Sequence, residues 1–212
     1  MSRLRFDVTI LAFALASILL AAAPRAARGD DLRAATHVLI ERLRKAGRAE
    51  ATLERSMPDP IAGKTIRVRG LLALEPPDRA SLYFPSTRER VTLRADGGEW
   101  IQPELRQLLR LGPERAAAAR RWWEVLLAAN ADRFSARRIG VSRFVLAARE
   151  GAAADSVWLE LDRRGLPSRL ELAEDADQRT VYRLSGWRFS RARGRASFTL
   201  DPPAGYTVVQ VP

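Results

Sequence analysis

"RGLLALEPPDRASLYF", residues 69–84, holds two short apolar runs separated by Glu75-Pro76-Pro77-Asp78. Gly70, Leu72 and Leu74 alternate before the break, and Ala80, Leu82 and Phe84 alternate after it. A period of two puts each set on one face of a strand. Pro lacks the N–H that a ladder needs, so a Pro pair between such runs marks a turn between antiparallel neighbours. The stretch predicts two adjoining strands with a shared apolar face, and the rest of the chain has to say what that face meets.

The alternation continues in both directions. Upstream, Ile66 and Val68 share the face of Gly70, while Arg67 and Arg69 point away. Downstream, a turn at "PSTRE" leads to "RVTLRA", with Val91, Leu93 and Ala95 opposite Arg90, Thr92 and Arg94. Asp96-Gly97-Gly98 is a hairpin turn signal, and Trp100 opens the next strand. Residues 49–63 read as a short strand and a Pro/Gly-rich loop. "RIGVSRFVLAA", "SVWLELD", "PSRLELAE", "TVYRLSGWRFS" and "ASFTLD" read as further strands, each bounded by Gly, Pro or Asp.

Helical spacing occurs in two places. Asp30 or Asp31 can cap a helix along which Leu32, Ala35, Leu39, Leu43 and Ala46 recur, ending at Gly47. In the middle, Pro103 opens a short helical stretch, "PELRQLLRL". Gly112-Pro113 then punctuates before "ERAAAARRWWEVLLAAN", with Trp122, Leu126 and Ala129 on one side. Many strands with three helices in two places give an α+β domain built on an antiparallel sheet.

The N-terminus stands apart. Arg3 and Arg5 precede an apolar run from Val8 to Ala23. As a helix that run would span about 24 Å, short of the roughly 30 Å hydrocarbon core of a bilayer. Small residues at Ala27 and Gly29 suit a cleavage site, so residues 1–29 read as a secretory signal peptide and residues 30–212 as a single exported domain. An uncleaved membrane anchor is the competing reading.

The chain has 36 Lys and Arg against 25 Asp and Glu, net +11, and only Lys45 and Lys64 among them are Lys. Removing residues 1–29 takes away four Arg and one Asp and leaves net +8. The Arg residues are scattered among acidic and apolar positions, without a nucleic-acid-binding signature. A basic surface near anionic lipid is a better use of the charge, and a merely solvated surface is the simpler one.

There is no Cys and one His, His37, inside the first helix. That leaves no material for a zinc site or a Cys-His pair, and no nucleophile-elbow motif accompanies His37. Asp175 and Asp177 lack Ca²⁺-loop spacing. No catalytic residue, cofactor or metal is expected, and the chain reads as a non-enzyme.

Four segments resemble the periplasmic outer-membrane lipoprotein carrier family of the LolA type. They are Gly70-x-Leu72 on a strand running to Pro77; Asp96-Gly97 followed by Trp100 and Pro103; Asp177-Gln178-Arg179 followed by Tyr182-x-Leu184; and Phe198-Thr199-Leu200 with Pro202-Pro203-x-Gly205. The resemblance implies a curved antiparallel sheet forming an unclosed β-barrel, with helices as a lid over the open side. It implies a periplasmic, monomeric chaperone that binds lipoprotein acyl chains in a hydrophobic cavity. Its partners would be an inner-membrane ABC-type lipoprotein-releasing complex and an outer-membrane lipoprotein acceptor. The lack of Cys fits the soluble carrier, since the acceptor is itself a lipoprotein. A lipid or glycolipid carrier, or a lipoprotein sensor, of the same fold is the alternative.

On that reading Leu72, Leu74, Leu82, Phe84, Val91, Leu93 and Trp100 are the sheet-face candidates for cargo, and Trp122, Trp123 and Leu126 the lid candidates. Each could equally be an ordinary core residue. The sequence departs from the family at Pro76, where the family carries an Arg that ties lid to barrel; Glu75 precedes it and Arg79 follows.

Overall fold

The computed structural model describes residues 29–59, 62–127, 134–148, 156–173 and 179–212. Its frame is one 12-stranded sheet. In chain order the elements are α1 (Gly29–Ala46), β1 (Arg48–Asp59), β2 (Lys64–Glu75), β3 (Arg79–Phe84), β4 (Glu89–Arg94), β5 (Gly97–Gln102), β6 (Gln107–Leu111) and α2 (Pro113–Leu127). There follow β7 (Phe134–Arg138), β8 (Arg143–Ala148), β9 (Ser156–Leu161), β10 (Pro167–Ala173), β11 (Arg179–Ser190) and β12 (Thr207–Val211).

The strand order is β12-β6-β5-β4-β3-β2-β1-β11-β10-β9-β8-β7. All neighbours run antiparallel except β12 and β6, which pair in parallel. The edge strands β12 and β7 are not bonded to one another, so the sheet is an unclosed barrel. Both α-helices lie over its open side: α1 along β7, β8, β1 and β11, and α2 on β4, β5 and β6, with the two helices touching. This is the fold class the strand pattern and the resemblance led to.

Residues 69–84 form a β2–β3 hairpin. Leu72 pairs with Leu82 and Leu74 with Ala80. The turn is tied to its surroundings by its own polar groups. Arg79 donates to the Pro76 carbonyl at 3.2 Å, and the Asp78 carboxylate accepts the Ala95 N–H at 2.6 Å. Gly70 is required by a close approach: a Cβ there would stand 2.6 Å from the Tyr83 carbonyl oxygen and 2.7 Å from the Phe84 ring. In β11 two residues, Gly186 and Trp187, oppose one on β1, and Gly186 has φ +62°. The bulge keeps Trp187 and Phe189 on the same face as Leu184 although the spacing is odd.

Four expectations need correction. "PELRQLLRL" is a 3-10 turn (Pro103–Leu105), a left-handed Arg106 and then strand β6, because β5 and β12 flank it and supply partners for its backbone. "ASFTLD" is not a strand: Arg195–Phe198 is a 3-10 turn and residues 199–201 are irregular. β7 and β12 are not expected from the sequence, since the alternation of Phe134 and Ala136 in β7 is too short to mark a strand and β12 sets Val208 beside Val209. β1 runs to Asp59, longer than expected, since β2 pairs with it along its whole length. The Asp177-Gln178 step and Ala129 lie outside the described residues, as does all but the last residue of the proposed signal peptide.

After β11 the chain crosses the convex face of the sheet as a strap and joins the far edge as β12. Glu75, fully buried at the end of β2, anchors it: its carboxylate accepts Arg48 at 2.8 Å and the backbone N–H groups of Arg193 at 2.8 Å and Gly194 at 3.2 Å. Further along, Phe198 is buried between the Arg48 and Arg79 guanidiniums, and its carbonyl accepts from Arg94.

Candidate functional site

The pairing registers lay out the concave face as rows. One row runs Ala49, Leu74, Ala80, Leu93, Gly98 and Leu111; the next runs Ala51, Leu72, Leu82, Val91, Trp100 and Leu109. Toward the other end of β1 and β2 come Arg55 opposite Val68 and Met57 opposite Ile66. Burial falls along these strands in step: β1 is buried at its start and β2 at its end, which are paired. The helices therefore cover only one end of the concave face.

Under the helices the face is a packed core. Leu72, Leu74, Leu82, Phe84 and Leu93 are buried there together with Trp123 and Leu126 of α2, and Val91 packs against them half-buried. Trp123 meets Tyr182 edge-on, with ring centroids 5.4 Å apart. The side chain of Trp122 lies outside the described residues. Seven of the ten candidates thus share one apolar cluster that the closed helices seal.

Trp100 belongs to a different zone. Beyond the helices the concave face opens as a trough with a cavity of about 290 Å³, lined by the apolar Met57, Ile66, Val68, Trp100, Pro103 and Leu105 and by the polar Arg55, Thr87, Glu89, Gln102 and Glu104. Ile66 is 42% and Leu105 66% exposed. Between trough and core stands an ion pair, Arg55 to Glu89 at 3.0 Å, with the Arg55 guanidinium 4.2 Å from the centre of the Phe84 ring. Glu89 also accepts the Trp100 indole N–H at 3.1 Å. Sequence reading had Ile66 and Val68 on the right face but did not single them out. Leu105 was hidden by the helical reading, and nothing local marks Arg55 or Glu89 as facing an apolar interior.

The lid is tied to the barrel from its own side. Arg120 of α2 donates to the Arg94 carbonyl at the end of β4 and pairs with Glu124 one turn on at 2.7 Å. Glu75 faces the convex side and holds the strap, while Arg120 adds a polar tie to the apolar packing of Trp123 and Leu126 against the sheet.

His37 is exposed on α1 and stands 3.8 Å from Glu41. Among the described residues no group of His, Asp and Glu is placed to hold a metal, and no helix is long and apolar enough to cross a membrane.

No protein-family model and no curated protein matches the sequence. Solved structures do resemble the fold. An uncharacterized conserved protein from Thermus thermophilus is 12% identical over 82% of this chain and 98% of its own, with a TM-score of 0.49. A LolA superfamily protein from Nitrosomonas europaea is 9% identical over 78% of this chain and 97% of its own, TM-score 0.42. A domain named for outer membrane lipoprotein sorting, from Vibrio parahaemolyticus, is 14% identical over 80% of this chain and 97% of its own, TM-score 0.44. The fold class rests on the strand order and registers themselves.

Proposed function

We propose that the protein is a periplasmic carrier that holds the acyl chains of lipoproteins against the concave face of its sheet. Residues 1–29 direct export and residues 30–212 form the working domain. It acts as a monomer and catalyses nothing. It takes its cargo from an inner-membrane ABC-type releasing complex and gives it to an outer-membrane acceptor. The observation that carries this reading is one sheet face that runs from the open trough at Met57, Ile66 and Val68, past the Arg55–Glu89 ion pair, into the apolar core beneath α2.

The energetics suit a carrier. Burying a methylene contributes about 0.8 kcal/mol, so one 16-carbon chain contributes on the order of 10 kcal/mol. A permanently open greasy trough of that length would aggregate. A helix that covers the apolar end of the face when empty and yields to cargo avoids this, and the work of displacing it makes release feasible. The trough is where a chain end enters; Leu72, Leu74, Leu82, Phe84, Val91 and Leu93 become the wall, and Trp123 and Leu126 the displaced lid.

The test is mass spectrometry of the protein purified from the cells that make it, with Val68→Asp and Ile66→Asp beside it. Co-purified triacylated polypeptide is the expected result, lost in the variants while the melting temperature stays within a few degrees. Free lipid in its place would reassign the cargo to lipid or glycolipid. No cargo, and no uptake of an environment-sensitive apolar dye, would overturn the carrier reading.

A further inference from the structure

The convex face carries a second cavity of about 290 Å³, across the sheet from the trough. Register shapes its floor: Ser81 pairs with Ala73, Ala73 in turn with Glu50, and Tyr83 with Leu71. Small side chains at the centre leave a hollow, and long ones stand around it. Arg90 reaches it from β4, Arg188 from β11 and Arg193 from the strap.

Guanidiniums outnumber carboxylates in this cleft. Elsewhere on the convex face, carboxylates are shared by pairs of guanidiniums: Glu54 by Arg69 and Arg183, Glu171 by Arg169 and Arg179. In the cleft the one carboxylate is Glu50, already taken by Arg48 at 2.9 Å, with Arg193 at 3.7 Å. Arg48 is spent on Glu50 and Glu75. Among the described residues Arg90 and Arg188 form no ion pair; Arg90 lies over the Tyr83 ring at 4.5 Å. Two exposed guanidiniums without an ion pair, Arg90 and Arg188, and a third, Arg193, at 3.7 Å from Glu50, line a hollow whose single carboxylate is already engaged by Arg48.

We propose that this cleft binds a phosphate ester group. Guanidinium forks offer paired N–H donors that match oxyanion edges. A carboxylate offers two oxygens in one plane, whereas the oxygens of a phosphate ester, two non-bridging in a diester and three in a monoester, are disposed tetrahedrally and can be met from more than one side, with Ser81 in the floor. The cleft is also larger than a bare ion needs, and Leu71, 45% exposed, and Leu200 give it an apolar flank. That combination fits the headgroup of an anionic phospholipid, with a soluble phosphate ester as the other source of the same chemistry. The site lies across the sheet from the cargo trough, so it stands or falls independently of the carrier reading.

The experiment uses two probes on the exported protein at physiological salt: glycerol 3-phosphate by calorimetry, and co-sedimentation with phosphatidylcholine vesicles with and without phosphatidylglycerol. The cleft variant is Arg90→Ser, Arg188→Ser and Arg193→Ser together. The control removes equal charge from other exposed positions, Arg44→Ser, Arg137→Ser and Arg163→Ser. The expected result is binding by wild type and control that falls about tenfold or more in the cleft variant, with the melting temperature unchanged. Loss of phosphatidylglycerol-dependent sedimentation identifies a lipid headgroup. Loss of glycerol 3-phosphate binding without any vesicle binding identifies a soluble ester; both support the site. Equal loss in the control, binding retained by the cleft variant, or binding of an oligoglutamate peptide with neither phosphate probe bound overturns it.

Discussion

Glu75 offers the sharpest test of how the strap is held. It is fully buried, and its carboxylate collects Arg48 and the two strap amides of Arg193 and Gly194. Glu75→Ala removes all three acceptor contacts at once. Breaking a buried pair by deleting one partner costs about 3–5 kcal/mol. Arg48 keeps Glu50 at 2.9 Å, so the lower end applies, about 3 kcal/mol. For a chain of this size each kcal/mol moves the melting temperature by about 2–4 °C, which gives a fall of about 6–12 °C. Glu75→Gln keeps the shape and one acceptor oxygen and should lose about half as much. Calorimetry measures the fall, and amide hydrogen exchange at Arg193 and Gly194 shows whether the strap has come loose. A fall below about 2 °C with exchange unchanged at both amides would refute the assignment of Glu75 as the anchor.

Two further outcomes follow from the same geometry. Gly70→Ala forces a methyl against the Tyr83 carbonyl and the Phe84 ring, so overpacking should cost about 1–3 kcal/mol; an unchanged denaturation midpoint would show that the hairpin accommodates it. Acid should loosen the strap. Burial pushes Glu99 upward, but hydrogen bonds from Arg94 and Thr92 outweigh this and hold it below its ordinary value of 4.5. The hydrogen bond from Arg195 likewise lowers Asp96. A folded value below the unfolded one means stability that is present above pH 4.5 and is lost as pH falls through the depressed value. The melting temperature of the wild type should therefore drop more steeply below pH 4.5 than that of Glu99→Gln, and coincident profiles would remove Glu99 from the account.

The hairpin at residues 69–84 was legible because everything that specifies it is local. Alternation fixes the faces, and the Pro pair fixes the break. The same holds for α1, whose Leu39 and Leu43 sit where helical spacing placed them, buried. β6 was misread because "LRQLLRL" suits either period, and only flanking strands with free backbone groups decide between them. The candidate site divided along similar lines. Leu72, Leu82 and Leu93 were found as face residues, but whether a face residue is sealed or open depends on how far α2 reaches, and no residue near it in sequence records that.

By itself, then, the sequence determined most of the strands, their faces and the two α-helices, β6, β7 and β12 excepted, since side-chain periodicity and turn chemistry act over a few residues. Tertiary structure alone decided what those faces meet. It put Glu75 under a strap contributed by residues 193 and 194, brought Arg90, Arg188 and Arg193 around one hollow, and left Met57, Ile66 and Val68 uncovered. Each of these depends on contacts between segments far apart in the chain, whose energies exist only once the sheet has closed the distance.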